Sequence, residues 1–382
     1  MPVEGNDYNS QLTNICDQLT TLVSKQTAHI LLLSFFINTR DNLEYEQLRI
    51  TTTSTIQSIL GFTPAISVIA QSPANGNHVS LELTMLLNKT AKTRILYKEY
   101  KGIAYTILQT NKTSEIFIGG IKPGNLHDDF VVQADQAFET AQDILLSENF
   151  NLADIIRQWN YVEGILCITD KNKEKLQNYQ ALNDIRSKFY ARHDFKNGYP
   201  AATGIGMEAG GILLEIYAAK PDTAFEIIPI KNPKQTDAYH YSGNVLIGDA
   251  MEKSISKSTP KFERAKYVGF KQNRYVYISG TASIQKEHTV GVGDVRVQTE
   301  ITLDNIANLV SSDNLKNENI DINSFSINYS FIRVYIKRKK DLNLVREICD
   351  TYYGNIPIHY LLADICRDDL LLEIEGIAEI SG

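Results

Sequence analysis

The run Ile116-Phe117-Ile118-Gly119-Gly120 returns later in the chain as Val276-Tyr277-Ile278-Ser279-Gly280. Each run reads as a strand, and each precedes an apolar stripe at helical spacing, Val132 to Leu146 in one case and Val297 to Val310 in the other. The stripes align at a constant offset: Gln133 with Gln298, Phe138 with Leu303, Ala141 with Ile306, Leu145 with Val310. A strand near Gly164 to Ile168 and a helix from Glu174 to Tyr190 follow in the first copy. Strand Phe331 to Ile336 and helix Leu342 to Tyr353 follow in the second. Each copy closes with a proline and an acid inside an apolar strand, Pro200 to Glu215 and Pro357 to Glu373. A duplicated unit of this kind outranks other readings of a fold. The expectation is an α+β protein with two repeats, the helices on one face of mixed sheets.

The expected boundaries are an N-terminal extension over 1–110 packing on the first repeat, repeat one over 111–220, a connecting segment over 221–264, and repeat two over 265–382. Residues 1–25 carry a weak helical period, and Ile30 to Ile37 reads as a core strand. The region 26–110 shows no counterpart in the second copy.

With a net charge of −7 the chain is poorly suited to nucleic acid, which needs a basic surface. The basic run Lys337-Arg338-Lys339-Lys340 reads as a solvated turn. Four scattered cysteines show no metal spacing and no disulfide framework, which fits a reducing cytoplasm. No stretch is long enough to span a bilayer, so no membrane partner is expected.

In Leu370-Leu371-Leu372-Glu373-Ile374-Glu375, the strand period places both glutamates on one face. That face is either solvated or turned to a cleft, where a carboxyl group would have a raised pKa and could serve as a general acid. Tyr199-Pro200-Ala201-Ala202-Thr203-Gly204-Ile205-Gly206 is dense in small residues, either a tight turn or a place of close backbone approach to a ligand. Arginines 186, 192, 264, 333 and 367 are candidates for clamping carboxylates.

On these residues a family resemblance becomes visible. Ile278-Ser279-Gly280, the glutamine-led helix and Glu373-Ile374-Glu375-Gly376-Ile377-Ala378 resemble the YjgF/Rid (chorismate mutase-like) fold. The whole arrangement resembles the chorismatases through Tyr199 to Gly206, Asn232-Pro233-Lys234-Gln235, Phe262-Glu263-Arg264-Ala265, Ile278 to Ile284 and Ala363 to Glu375. The resemblance implies an enzyme that removes the enolpyruvyl group of chorismate as pyruvate, without metal or organic cofactor. An enol ether is activated by a proton on its terminal carbon, and the resemblance gives that role to Glu373, with Glu375 beside it. It also implies that Arg186, Arg264 and Arg333 hold the two carboxylates, and that Tyr199, Thr203, Gly204, Tyr239 and Tyr241 form the wall. Cys366 favours the type that forms 3-hydroxybenzoate, while Ala282 leaves open the hydrolase that yields a dihydroxycyclohexadiene carboxylate. An imine deaminase of the plain YjgF/Rid type would need an arginine where Ala201-Ala202 and Ile358-His359 stand. A non-catalytic small-molecule-binding module on the same fold also stays open. The expected assembly is a monomer or a homo-trimer.

Overall fold

The computed structural model describes residues 4–24, 28–87, 89–111, 113–171, 174–221, 225–248, 257–270, 273–320, 322 and 326–381. Parts of the expected connecting segment, 222–224 and 249–256, lie outside them.

The chain opens with α1 (Tyr8–Ser24), β1 (Ala28–Ile37), α2 (Asn42–Leu60), β2 (Ala65–Ile69) and β3 (Val79–Leu87). The next unit is β4 (Arg94–Tyr100), β5 (Ile103–Gln109), β6 (Thr113–Ile121), α3 (Phe130–Ser147), β7 (Ile155–Glu163), a hairpin of β8 (Ile168–Lys171) and β9 (Glu174–Gln177), α4 (Asn178–Tyr190), β10 (Ala201–Met207) and β11 (Ile212–Pro221). The last unit is β12 (Phe225–Ile230), β13 (Ala265–Phe270), β14 (Asn273–Thr281), a hairpin of β15 (Ile284–Gln285) and β16 (His288–Thr289), α5 (Val295–Leu309), α6 (Ser312–Asn317), β17 (Ser326–Ile336), α7 (Leu342–Tyr353), β18 (Ile358–Leu362) and β19 (Leu372–Ser381).

The two six-stranded sheets run in the same order. Read from the leading hairpin they are β4-β5-β6-β11-β7-β10 and β12-β13-β14-β19-β17-β18. In each, one pair is parallel (β7 with β10, β17 with β18) and the others are antiparallel. The sheets begin at Arg94 and Phe225, so the expected boundaries at 110 and 264 fall inside them. β4 and β12 are half-exposed edge strands with weak apolar signals, so sequence periodicity did not tie them to the repeats, although β5 is mostly buried. The strand expected near Gly164 to Ile168 is instead β7, and the chain turns at Gly164, whose φ of 55° favours glycine. The helix expected from Glu174 begins at Asn178. The basic run forms a turn at Lys339–Asp341.

The N-terminal region does have a counterpart. Its sheet runs β2-β1-β3, with β1 parallel to β2 and antiparallel to β3. That matches β10-β7-β11 and β18-β17-β19 in order and direction, so α1-β1-α2-β2-β3 repeats the last five elements of the larger units. The helix α2 carries TTTST in place of a clear apolar stripe, which hid the likeness.

Strand register aligns the three units residue by residue. Glu82 faces Ser34, which faces Ser67; Glu215 faces Trp159, which faces Thr203; Glu375 faces Arg333, which faces His359. Two residues earlier on each closing strand, Ser80, Leu213 and Glu373 face Phe36, Tyr161 and Tyr335. Glu215 is therefore the partner of Glu375, not of Glu373 as the closing motifs suggested. Each of these glutamates reaches into another unit: Glu82 into the third, Glu215 into the first, Glu375 into the second. The three units close a ring about a pseudo-threefold axis. The glycine pairs quoted from the sequence serve this closure, since Gly120 N–H donates to Ser67 Oγ and Gly280 N–H to Thr203 Oγ1 at equivalent positions.

Candidate active site

One cavity lies where the second and third units meet. The helix α4 presents Tyr179, Gln180, Asn183 and Arg186 to it, and β10 presents Ala202 and Gly204. The third unit adds Arg264 at the start of β13, Gly280 at the end of β14, Ala282, and Cys366, Arg367 and Glu373 from the loop before β19 and its start. Tyr241 to Ile247 cover it. The cavity volume is about 50 Å³, room for a few water molecules at roughly 10–15 Å³ of such volume each.

Among the described residues, Glu373 is the only acid that lines the cavity. It is 4% exposed, so its face is not solvated. Its carboxyl group makes no hydrogen bond to a described residue. Burial, then the nearby charge of Glu375, push its pKa up to about 8, against the pull of Arg157 and Arg264. At neutral pH it is a carboxylic acid that can give up a proton. A Cβ on Gly280 would overlap this carboxyl group, so only glycine leaves room for it. Gly204 makes room in the same way, because a Cβ there would lie 2.9 Å from the Tyr179 ring.

The cations around this acid have no acid of their own. Arg186 is 2% exposed; its Nη2 donates to Asn183 Oδ1 at 2.6 Å. Arg264 donates from Nη2 to Thr236 O and Tyr241 OH, at 2.6 and 2.7 Å. Arg367 donates to the carbonyl of Glu287 at 2.7 Å. Arg186 Nε, Arg264 Nε and Asn183 Nδ2 are buried donors without an acceptor. Buried guanidinium groups of this kind are costly unless a ligand supplies the anion. Cys366 is a free thiol that burial, and then Glu373, push up to about 12, so it stays neutral.

The structure thus brings together Glu373, Cys366, Arg186, Gly204, Tyr241, Arg264 and Ala282. It places the other expected site residues elsewhere. Glu375 turns to the axis, where Arg157 Nη2 at 2.5 Å, Trp159 Nε1 at 2.7 Å, Arg333 Nη1 at 2.6 Å and the Thr203 hydroxyl donate to it. Thr203 is drawn into that network with its side chain, and Arg333 also pairs with Glu82. Tyr199 and Tyr239 wall a second hollow with Lys261, on the far side of the extended segment Pro260 to Phe262. Strand alternation explains the split, since Pro260 and Phe262 face one cavity and Lys261 the other. Arg367, one of the arginines considered as a clamp, also lines the cavity. Among the residues that sequence reading missed are Asn183, Tyr179 and Gly280. Gly280 stood inside a motif already noted, while Asn183 could be placed only by the helix phase, three residues before Arg186.

Comparison with known proteins agrees with this geometry. Residues 91–218 match the family model for chorismatase FkbO/Hyg5-like, N-terminal. The chain is 33% identical over 239 residues to a 3-hydroxybenzoate synthase of Streptomyces hygroscopicus, covering 61% of this chain and 65% of that protein. It is 32% identical over 225 residues to a chorismatase of the same organism, covering 58% and 61%. The chain thus spans a little under two thirds of the length of these curated relatives. A chorismatase crystal structure superposes with a TM-score of 0.66 at 23% identity, over 91% of this chain and 92% of that one, and so shares the fold. Among the described residues of this chorismatase-like chain, no helix is long and apolar enough to cross a membrane. The same residues hold no cluster of metal-ligating side chains.

Proposed function

We propose that this chain converts chorismate to 3-hydroxybenzoate and pyruvate. The observation that carries the reading is one neutral acid, Glu373, in a closed cavity with three arginines that have no acid partner. Chorismate brings two carboxylates and an enol ether. The arginines supply the clamps and Glu373 supplies the proton to the terminal methylene carbon. Protonation makes the side chain cationic at the ether carbon, beside a carboxylate that has just become negative. The C4 hydroxyl oxygen then bonds to C3 and gives up its proton while the C3–O bond to the side chain breaks and pyruvate leaves. Opening of this epoxide at C4 and loss of the C3 proton restore the aromatic ring as 3-hydroxybenzoate, so the two products together hold the atoms of chorismate with no water added. Hydrolysis to the dihydroxycyclohexadiene carboxylate would add one water. The 3-hydroxybenzoate synthase among the relatives supports the same product. Chromatography of the products after incubation with chorismate is the test. Pyruvate with 3-hydroxybenzoate is expected; no pyruvate would overturn the reading, and pyruvate with the dihydrodiol acid would replace it by the hydrolase.

Two residues can be tested within this reading. Arg186→Ala is expected to raise the KM for chorismate by an amount equivalent to about 2–5 kcal/mol, the range for removing one member of a buried charge pair. An unchanged KM and kcat would leave Arg186 a packing residue. Cys366→Val keeps nearly the same volume but removes the thiol's hydrogen-bonding capacity, which reaches Tyr179. It is expected to shift the product mixture toward the dihydrodiol acid while pyruvate release continues. Because the thiol stays protonated, Cys366 acts in this reading by filling space and holding the ring, not as a thiolate nucleophile. An unchanged product ratio would remove Cys366 from product choice.

A further inference from the structure

The pseudo-threefold arrangement produces three related junctions, and the candidate active site occupies one of them. At that junction Glu373 and Glu375 of one unit meet Thr203 of the next. By strand register the same three positions at the junction of the third and first units hold Ser80, Glu82 and His359. The remaining junction holds Leu213, Glu215 and Ser67, with nothing reactive at the first position.

Ser80, His359 and Glu82 are joined in line. Ser80 Oγ lies 2.9 Å from His359 Nε2, and His359 Nδ1 lies 2.5 Å from Glu82 Oε1. Arg333 and His359, acting against burial, lower the Glu82 pKa to about 2, so this carboxylate is ionised and accepts the Nδ1 proton. In the neutral tautomer that carries this proton on Nδ1, Nε2 accepts from the serine hydroxyl. Phe36 packs edge-on against the imidazole with ring centroids 5.0 Å apart and fixes its plane. A hydroxyl, a base within hydrogen-bond reach and a carboxylate that orients the base form the geometry of an activated nucleophile.

All three residues line a chamber of about 770 Å³ on the axis, separate from the Glu373 cavity. Its walls include Leu83, Trp159, Ile358 and Ile377, and the Asn77 amide and Arg346 guanidinium also line it.

We propose that Ser80, His359 and Glu82 form a second, acyl-transfer site that takes esters of small apolar or aromatic carboxylic acids. Ser80 Oγ bonds to the acyl carbon while His359 takes the hydroxyl proton. The ester C–O bond breaks and the alcohol leaves with that proton. Water, deprotonated by His359, then releases the acid and restores Ser80. Glu82 Oε1 is shared with Arg333 Nε at 2.8 Å, so its charge supports the imidazolium less than an unshared carboxylate would, and turnover is slow.

A fluorophosphonate probe reports the nucleophile without needing turnover, and p-nitrophenyl butyrate reports hydrolysis. Peptide mass spectrometry of the full chain is expected to place the phosphonyl adduct on Ser80. Ser80→Ala should lose both the adduct and the hydrolysis, and His359→Gln should slow labelling about a hundred- to ten-thousand-fold. Glu373→Gln should label at the wild-type rate, which separates this site from the chorismate reading. An adduct on another residue, no adduct at all, or hydrolysis that persists in Ser80→Ala overturns the proposal.

Discussion

Replacing Glu373 by glutamine is expected to cut pyruvate release from chorismate by about a hundred- to ten-thousand-fold, the usual cost of losing a general acid. The amide keeps the shape of the side chain but has no acidic proton to give. Steady-state kinetics on the purified variant would check this, and a kcat within threefold of wild type would move the acid elsewhere. Stability offers an independent reading of the same group. Its folded pKa, about 8, lies above its ordinary 4.5. Between those values the unfolded chain ionises Glu373 and the folded chain does not, so folding stability falls as pH rises through that window. Glu373→Gln removes this linkage and should be more stable than wild type at pH 8, by on the order of a few kcal/mol. Denaturant unfolding at pH 5 and pH 8 would show the difference. The wild-type activity should also decline as pH rises past about 8, where the acid gives up its proton to solvent.

The second large effect is expected on stability and comes from Glu375. Glu375→Ala should lower the unfolding free energy by about 3–5 kcal/mol, the cost of removing one partner from a buried charge network. Arg333 would keep Glu82, but Arg157, 2% exposed, would lose its only acid partner among the described residues. Glu375→Gln keeps the acceptor oxygen and should cost less. It should also bring the upper pH limit of activity down, because the charge of Glu375 is the second cause of the raised Glu373 pKa. A loss below about 1 kcal/mol in Glu375→Ala, or an unmoved pH limit in Glu375→Gln, would show that this network neither holds the junction nor tunes the acid.

Much of the site could be read from residue order. Glu373, Cys366, Arg264 and Ala282 each stand in a short motif, and those motifs meet in one cavity. Arg186 came from the family resemblance of the segment Asn183 to Tyr190. The misplacements share one cause: side-chain chemistry names what a residue can do, but not which cavity it faces. Tyr199 and Tyr239 look like wall residues in sequence, and they are walls of the neighbouring hollow. Arg333 and Glu375 look like a clamp and an acid, and they neutralise one another on the axis.

The sequence alone determined the repeat of the two larger units, because their helices and closing strands bury apolar faces and so must keep the helical and strand periods. It also determined which short segments carry acids, arginines and the thiol. The third, shorter unit and the ring closure were decided only in the tertiary structure. Helix α2 buries little, and its β-strand partners show no motif shared with the other copies, so no local period marks it. Which glutamate becomes the acid was also decided there. Glu373 and Glu375 share a face and a strand, but among the described residues Glu375 meets five donors from the second and third units while Glu373 meets none. A carboxyl group's charge is set by what surrounds it in space, and two residues along a strand was enough to change every neighbour.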